Sequence, residues 1–434
     1  MQSAARQAAA DIVKALREAG FVAYFAGGCV RDELLGTEPE DYDVATNATP
    51  EQVKRLFPGA GEVGASFGVM LVHAGPKGGK GVAGGKWRRP VEVATFRSDG
   101  EYTDQRRPSS VSFTDAKNDA QRRDFTINAV FLDPLAAPTA DSPVRGKVID
   151  YVGGLEDLKA KVIRAVGDAD ARLSEDHLRA LRAARFAARL GFAIEPGTAD
   201  AVRRHARDLR GVSHERIGGE VRKMLVHPAR LAAMRILEEL DVADVILGDA
   251  GAGPVARRVP ATLEIPGGTA DLTLAVGLGA WMVHRQANGA WLELRFADEA
   301  VERVRKSLLL SNDEEGFLRG VLLNRAAIFS EWSAATVSRR KRLAMTPTFA
   351  GALAVVAAER PERSEVVLSD LLTMGVGASE PGPTPIVTGD MLIGLGLKPG
   401  PSFKRILDGV YDAQLEGRVS SPEEGMELVR TLGV

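Results

Sequence analysis

The sequence holds a single cysteine, Cys29, in 434 residues. That excludes an intramolecular disulfide framework and any zinc site built from several thiolates. Set between Gly28 and Val30, Cys29 reads as a small buried filler. No apolar run is long enough to span a bilayer. The stretch before Phe21 is an amphipathic helix, Ala8 to Ala19, too mixed for a secretory h-region. No membrane partner is therefore expected, and the cytoplasm is the expected compartment. Formal net charge is only -2, so any RNA contact must come from local basic surfaces rather than from the chain as a whole. No internal repeat is visible. The rest of the composition is that of a globular chain long enough for roughly two to four domains.

What is present centres on Gly27-Gly28-Cys29-Val30-Arg31-Asp32, followed by Asp41-Tyr42-Asp43-Val44. Phe21 to Phe25 predicts a short buried strand, Gly27-Gly28 a tight turn needing backbone freedom, and Val30 to Leu35 a helix. A phosphate fits such a turn. Alternation along the next strand puts Asp41 and Asp43 on one face and Tyr42 and Val44 on the other. Two carboxylates on one face repel unless a cation sits between them, and hard oxygen donors suit Mg²⁺. Either half alone reads as a plain turn or as solvated acids; together they predict a metal-phosphate site.

Thr49-Pro50-Glu51-Gln52 carries an N-cap, a first-turn proline and a capping-box glutamine, so a helix is expected to about Phe57. Val69 to Val72 and Val91 to Ala94 read as strands, separated by a Gly- and Lys-rich hairpin tip, Gly75 to Pro90. Glu92 projects to the face opposite Val91 and Val93, as a candidate third acid or a solvated glutamate. Ser98 to Asp124 is polar and aperiodic, either a working lid or disorder. Arg122-Arg123-Asp124-Phe125-Thr126-Ile127-Asn128-Ala129 reads as the start of a helix ending near Asp133-Pro134. Arginines at a helix's positive end need a nearby anion, which points to triphosphate contacts or else to a solvated pair. A strand, Lys147 to Tyr151, and the turn Gly153-Gly154 close the first unit.

From Leu155 the pattern is helical. A helix from about Ser174 to Leu190 would set Asp176, Arg179 and Arg182 along neighbouring turns of one side, with Arg185 and Arg189 following; this is either a polar ruler or a salt-bridged surface. Ser213-His214-Glu215-Arg216-Ile217 reads as the cap and first turn of a further helix. Residues 230 to 375 read as Ala/Leu-rich helices without catalytic spacing, with loops at Gly251 to Pro254 and Ile265 to Gly268. Gly375 to Thr388 reads as a linker. Then Leu397-Lys398-Pro399-Gly400-Pro401 precedes a helix with Lys404 and Arg405, a turn that holds a backbone phosphate or simply caps the helix.

These motifs resemble the class II tRNA nucleotidyltransferases and their relatives, the bacterial poly(A) polymerases. The resemblance rests on Gly27-Gly28-x-Val30-Arg31-Asp32, Asp41-x-Asp43, Arg122-Arg123-Asp124-Phe125-Thr126-x-Asn128-Ala129, Asp150-Tyr151-x-Gly153-Gly154, Glu175-Asp176-x-x-Arg179 and Glu215-Arg216-Ile217, in that order. It is specific from about residue 20 to 225, weaker at Gly389 to Leu407 and nearly absent between. It implies an α+β chain: a small mixed-sheet head of polymerase-β type (1–155), then an all-helical neck (156–225), body (226–375) and tail (376–434), curved like a seahorse.

The resemblance further implies that Asp41 and Asp43 hold two Mg²⁺ ions; Glu92, placed by strand alternation alone, remains the candidate third catalytic acid. The implied reaction is template-independent addition of CCA, from CTP and ATP, to the tRNA 3′ end. Addition of A alone beside a CC-adding partner, and poly(A) synthesis, are the alternatives. Gly27, Gly28, Arg31, Arg123, Asp124, Asn128, Asp176, Arg179, Arg182 and Arg185 would bind the nucleotide. Asp176 would accept from the amino group shared by cytosine and adenine, and Arg179 would donate to the adjacent ring nitrogen. Asp99, Glu101, Arg106 and Arg107 match the flexible loop of enzymes that add the terminal A, which disfavours CC-only addition. Gly64-Ala65-Ser66-Phe67-Gly68 replaces the Gly-Arg-Arg-Phe-like segment of poly(A) polymerases, which leans towards tRNA. Lys398, Lys404 and Arg405 would touch RNA. The middle region lacks a His...His-Asp signature, so no second phosphohydrolase activity is expected, and no DNA partner either.

Overall fold

The computed structural model describes residues 3–62, 68–73, 89–100, 111–138, 144–248, 258–265, 269–285 and 294–433. Residues 1–220 with 239–245 form one unit, and residues 221–238 with 246–434 a second. Glu101, Arg106 and Arg107, the Gly64 to Phe67 segment, most of Gly75 to Pro90, Gly251 to Pro254 and Pro266 to Gly268 lie outside the described residues.

The first unit begins with α1 (Ala4–Glu18), which buries Ile12, Val13 and Leu16. There follow β1 (Ala23–Ala26), α2 (Gly28–Leu34), β2 (Asp43–Thr46), α3 (Pro50–Leu56), β3 (Gly61–Glu62), β4 (Val69–Val72) and β5 (Val91–Thr95). The capping box at α3 forms as expected, with Thr49 Oγ accepting from the Gln52 N–H and the Gln52 side chain accepting from the Thr49 N–H. A short antiparallel ribbon of β6 (Arg97–Asp99) and β7 (Val111–Phe113) leads to α4 (Ala116–Gln121), a 3₁₀ turn at Thr126–Asn128, β8 (Phe131–Asp133) and β9 (Lys147–Ile149). The main sheet runs β3-β4-β5-β2-β1-β8-β9. Only β2 and β5 pair in parallel, so this is the expected mixed sheet. Phe25, Val44, Met70, Val93 and Leu132 pack with α1 on one face, while Ala26, Ala45 and Phe131 pack with Phe96, Ala116 and Ala120 on the other.

Two expectations between Ser98 and Asp133 are corrected. Ser98 to Asp124 is not aperiodic throughout, since it contains β7 and α4, elements too short to show a period. The helix expected from Arg122 to Asp133 is instead one 3₁₀ turn and a strand. Phe131 and Leu132 are buried on opposite faces, and a strand covered on both sides shows no alternation.

The motif Asp150-x-x-Gly153-Gly154 is structural. The Asp150 carboxylate accepts from the Val152, Gly153 and Leu155 N–H groups and so starts α5 (Gly154–Ala160). A Cβ on Gly154 would lie 2.3 Å from the Thr126 carbonyl oxygen and 2.6 Å from Val130 Cγ2. Gly154→Ala is therefore expected to cost about 1–3 kcal/mol, read as a lower urea midpoint at unchanged slope.

Beyond it lie β10 (Val162–Ile163), α6 (Ala169–Glu175), α7 (Arg179–Leu190), β11 (Ala193–Ile194) parallel to β10, α8 (Pro196–His205), a 3₁₀ stretch at Ala206–Gly211, and α9 (His214–Leu225). The continuous helix expected from Ser174 to Leu190 is corrected: it breaks at Asp176, which is extended at φ -151° and ψ 100°. Asp176 Oδ1 accepts from the Leu178 N–H, an aspartate turn that competes with the helical ladder. Asp176, Arg179 and Arg182 thus do not share one helix.

The remaining helices are α10 (Arg230–Glu239), α11 (Ala243–Ile246), α12 (Ala270–Arg285), α13 (Leu294–Leu308), α14 (Asn312–Ser330), α15 (Val337–Ala344), α16 (Phe349–Glu359), α17 (Pro361–Met374), α18 (Gly389–Gly394), α19 (Pro401–Leu415) and α20 (Pro422–Gly433). In the second unit Glu238 is buried between Arg285 and the Trp281 indole N–H, both of which donate to it. The stretch expected as a linker is a packed loop: Ser379 N–H donates to the Ala344 carbonyl, Tyr411 Oη to that of Pro383, and Gln414 to that of Thr384. Among the described residues no helix is long and apolar enough to cross a membrane.

Candidate active site

The acids assemble through strand register. Asp43 on β2 lies opposite Glu92 on β5, and both face away from α1 because Val44 and Val93 point into its core. Asp41 is exposed and precedes β2, which starts at Asp43, so the two aspartates are not residues of one strand as alternation predicts. The charge of Asp41 still reaches Asp43. Burial first, then Glu92 and then Asp41 push the Asp43 carboxyl up to about 7, with Arg123 acting in the opposite direction. Crowded acids with hard oxygen donors are the environment that a divalent cation relieves.

The turn beside them is shaped by one arginine. Gly27 has φ +78°, and a Cβ there would lie 3.2 Å from Arg123 Nη1. Gly27→Ala should thus meet both backbone strain and the guanidinium, lowering stability by about 1–2 kcal/mol. Thermal unfolding of the variant checks this. Arg123 and Arg122 sit just past the C-terminus of α4, not at a helix N-terminus as the sequence suggested. Buried Asp119 accepts from Arg122 through Oδ1 and from Arg123 through Oδ2, and Arg123 also lies 5.0 Å from the Phe131 ring centre.

A polar chain links the turn to the helices. Arg31 is buried and donates to Asp32 Oδ1 at 2.8 Å and to Asn128 Oδ1 at 2.7 Å. The Asn128 amide donates to Asp124 Oδ1, and Asp124 Oδ2 accepts from Arg182 Nε at 2.7 Å. Burial alone would raise the Asp124 pKa, but the Arg182 guanidinium, the Asn128 amide and the Phe125 N–H outweigh it and hold it below the usual carboxylate range. Arg185 donates to Glu220 at 2.6 Å. Arg31, Arg182 and Arg185 all lie over the Phe186 ring, at 5.2, 5.3 and 4.3 Å.

Asp176 and Arg179 are each held by neighbouring groups of the first unit. Asp176 Oδ2 accepts from Arg216 at 2.6 Å. Arg179 donates to Glu175, to the Arg172 carbonyl and to the Arg122 carbonyl. Sequence reasoning missed Asp119, Phe186 and Glu220. Asp119 was within reach, standing three and four residues before the two arginines on one helical face. Lys398, Lys404 and Arg405 belong to the second unit, exposed just before and within the first turn of α19. Asp99 ends β6.

Residues 23–164 match the poly A polymerase head domain, and residues 191–250 match the probable RNA and SrmB-binding site of polymerase A. Residues 23–164 belong to the poly A polymerase head family. The resemblance drawn from the motifs is borne out. The CCA-adding enzyme of Geobacillus thermodenitrificans is 39% identical over 257 residues, 59% of this chain and 58% of that one. That of Streptococcus pneumoniae G54 is 41% identical over 223 residues, 51% and 50% of the two chains. The chain thus matches about half the length of these curated relatives. A crystal structure of the Bacillus stearothermophilus CCA-adding enzyme in complex with CTP superposes with TM-score 0.70 at 28% identity, covering 98% of each chain. The Thermotoga maritima CCA-adding enzyme complexed with tRNA shares the fold, at TM-score 0.64 and 22% identity, over 98% of this chain and 94% of that one.

Proposed function

We propose that the chain is a template-independent tRNA nucleotidyltransferase, acting in the cytoplasm, that adds CCA from CTP and ATP to the tRNA 3′ end. One observation carries the reading: Asp43 and Glu92 in cross-strand register with Asp41 close by, beside the Gly27 turn and Arg123. The relatives named CCA-adding enzymes favour this over poly(A) synthesis or A-only addition. The acids suit Mg²⁺, because they are hard oxygen donors, and burial first and then the charges of Glu92 and Asp41 hold Asp43 far above its ordinary value. Asp41 and Asp43 would hold the metal, with Glu92 beside them. Bound there, it supplies charge neutralisation for the attacking 3′-hydroxyl oxygen and the departing pyrophosphate.

The protein's own groups do the rest. Gly27 and Gly28 let phosphate oxygens approach the backbone, and Arg123, braced by Asp119, presents positive charge to them. Arg31, buried between Asp32 and Asn128, holds the turn to the 3₁₀ segment instead of reaching the phosphates. Asp124 and Asn128 position Arg182 and Arg31 on the ribose side. Asp176 has acceptor capacity beyond its two protein bonds, and Arg179 uses three of its five donors. Together they can meet the amino group and ring nitrogen of cytosine or adenine. Uracil and guanine present a carbonyl and an N–H in those places.

Leaving such groups unpaired costs about 1–3 kcal/mol each. Arg179→Ala should therefore narrow the kcat/KM preference for CTP over UTP by about 10–100-fold, a ratio that loss of folded protein does not change. An undiminished preference would remove Arg179 from base selection. Along the chain, head, neck, body and tail are assigned to 1–155, 156–225, 226–375 and 376–434. Binding of tRNA through Lys398, Lys404, Arg405 and other basic residues should weaken steeply with salt.

The decisive experiment incubates three tRNA transcripts, ending in the discriminator base, in C and in CC, with CTP, ATP or both, in Mg²⁺. Completion of CCA on all three is expected. Reaction of the CC-ended transcript alone, and only with ATP, would replace this reading with A-only addition. Long A tracts on generic RNA would replace it with poly(A) synthesis.

A further inference from the structure

One cluster in the first unit takes no part in the chemistry above. His177 follows Asp176 at the junction of α6 and α7, His205 ends α8, and Asp208 lies in the 3₁₀ stretch after it. One ligand atom from each, a ring nitrogen or a carboxylate oxygen, lies within 4.8 Å of the other two. The two imidazoles stack with centres 5.6 Å apart. His177 is only 3% exposed, yet its Nδ1 has no hydrogen-bond partner, and buried polar atoms rarely go unpaired. His205 is held from two sides, with Nδ1 2.9 Å from Asp208 Oδ2 and Nε2 3.3 Å from Asp170 Oδ1. Asp170 is itself fixed by two bonds from Arg204. A carboxylate behind an imidazole is the arrangement that orients a metal-ligating histidine and sets its tautomer.

We propose that His177, His205 and Asp208 form a structural site for a divalent transition metal of the Zn²⁺ kind, completed by water and backed by Asp170. Two imidazoles and one carboxylate match such an ion and do not suit Mg²⁺, which takes oxygen ligands. The site is therefore chemically distinct from the acids of the sheet. Ligands at about 2.0–2.2 Å from a Zn²⁺ ion stand farther apart than the 2.9 Å between His205 Nδ1 and Asp208 Oδ2, so the ion must open that hydrogen bond to enter between them. Asp208 permits that, since its side chain is half exposed and can swing. Its exposure also gives the metal an entry path. The metal would tie the extended backbone at Asp176 to the end of α8. Any effect of that tie on base selection through Asp176 rests on the function proposed above, whereas metal binding itself does not.

The test uses the full chain, stripped with a chelator and titrated with Zn²⁺ and with Co²⁺ in excess Mg²⁺ to occupy the carboxylate-only site. One equivalent of Zn²⁺ is expected, with a Co²⁺ visible spectrum of nitrogen and oxygen ligation and a higher unfolding temperature on binding. His205→Ala and Asp208→Asn should each weaken binding by at least about 10–100-fold, whereas Asp43→Asn should retain the equivalent. Circular dichroism on the metal-free variants separates loss of a ligand from loss of the fold. No bound Zn²⁺ in excess Mg²⁺, or an equivalent that survives in both His205→Ala and Asp208→Asn, would overturn the proposal. Neither result bears on nucleotide addition, which the transcript experiment decides separately.

Discussion

Asp43→Asn should reduce nucleotide incorporation by at least about 10³-fold and at the same time make the metal-free fold more stable at pH 8. The first effect follows from removing the most buried of the three acids Asp41, Asp43 and Glu92. The second follows from its titration. The Asp43 carboxyl moves from an ordinary 3.8 to about 7, through burial first and then Glu92 and Asp41. Below about pH 4 both folded and unfolded states keep the proton, and nothing is lost. As pH rises from about 4 to 7 the unfolded state ionises while the folded state resists, so stability falls across that window and stays low above it. The full shift corresponds to as much as about 4 kcal/mol. Asparagine abolishes that deficit. Thermal unfolding at pH 5 and pH 8, with and without Mg²⁺, checks the argument: Mg²⁺ should stabilise the wild type at pH 8 far more than the variant. Wild-type turnover in Asp43→Asn would remove this carboxylate from the metal site.

Asp124→Ala is expected to be the most damaging change to the fold of the site, at about 3 kcal/mol. The carboxylate is nearly buried and accepts from Arg182, Asn128 and the Phe125 N–H. Alanine leaves all three donors behind. Arg182 is about a third exposed, which moderates the cost by letting water reach it. Because the pKa of Asp124 is depressed on folding, its contribution is present at neutral pH and lost only as pH falls through and below the ordinary carboxylate value. Urea unfolding of Asp124→Ala, Arg182→Ala and the double variant tests the pairing. The double variant should lose less than the sum of the singles, by about 0.5–3 kcal/mol. Strict additivity would mean that the two side chains do not depend on each other. Incorporation should fall as well, since Arg31, the Gly27 turn and α7 are joined through this carboxylate.

Much of the site could be read without coordinates where the signal was local. The capping box at Thr49 and the turn at Gly27 depend on residues within a few positions of one another, and both appear as read. Cys29 is the buried filler expected, its thiol donating to the Ala26 carbonyl and pushed up to about 12 by burial. Where two local signals competed, the reading failed. Helical periodicity across Ser174 to Leu190 hid the aspartate turn at Asp176 that breaks it. The two apolar faces of β8 looked helical because the strand is covered on both sides.

The sequence by itself determined the inventory: a strand-turn-helix followed by paired acids, further short strands and a helical remainder, because turns, caps and periodicity are set by neighbours along the chain, while the mixed-sheet head was implied by the family resemblance of the motifs. Only the tertiary structure decided which charges meet. Glu92 reaches Asp43 through the parallel register of β2 and β5, Arg182 meets Asp124 across 58 residues, and Arg31 meets Asn128 across 97. Buried charges must find partners wherever packing brings them, and the sequence carries no local record of those distances.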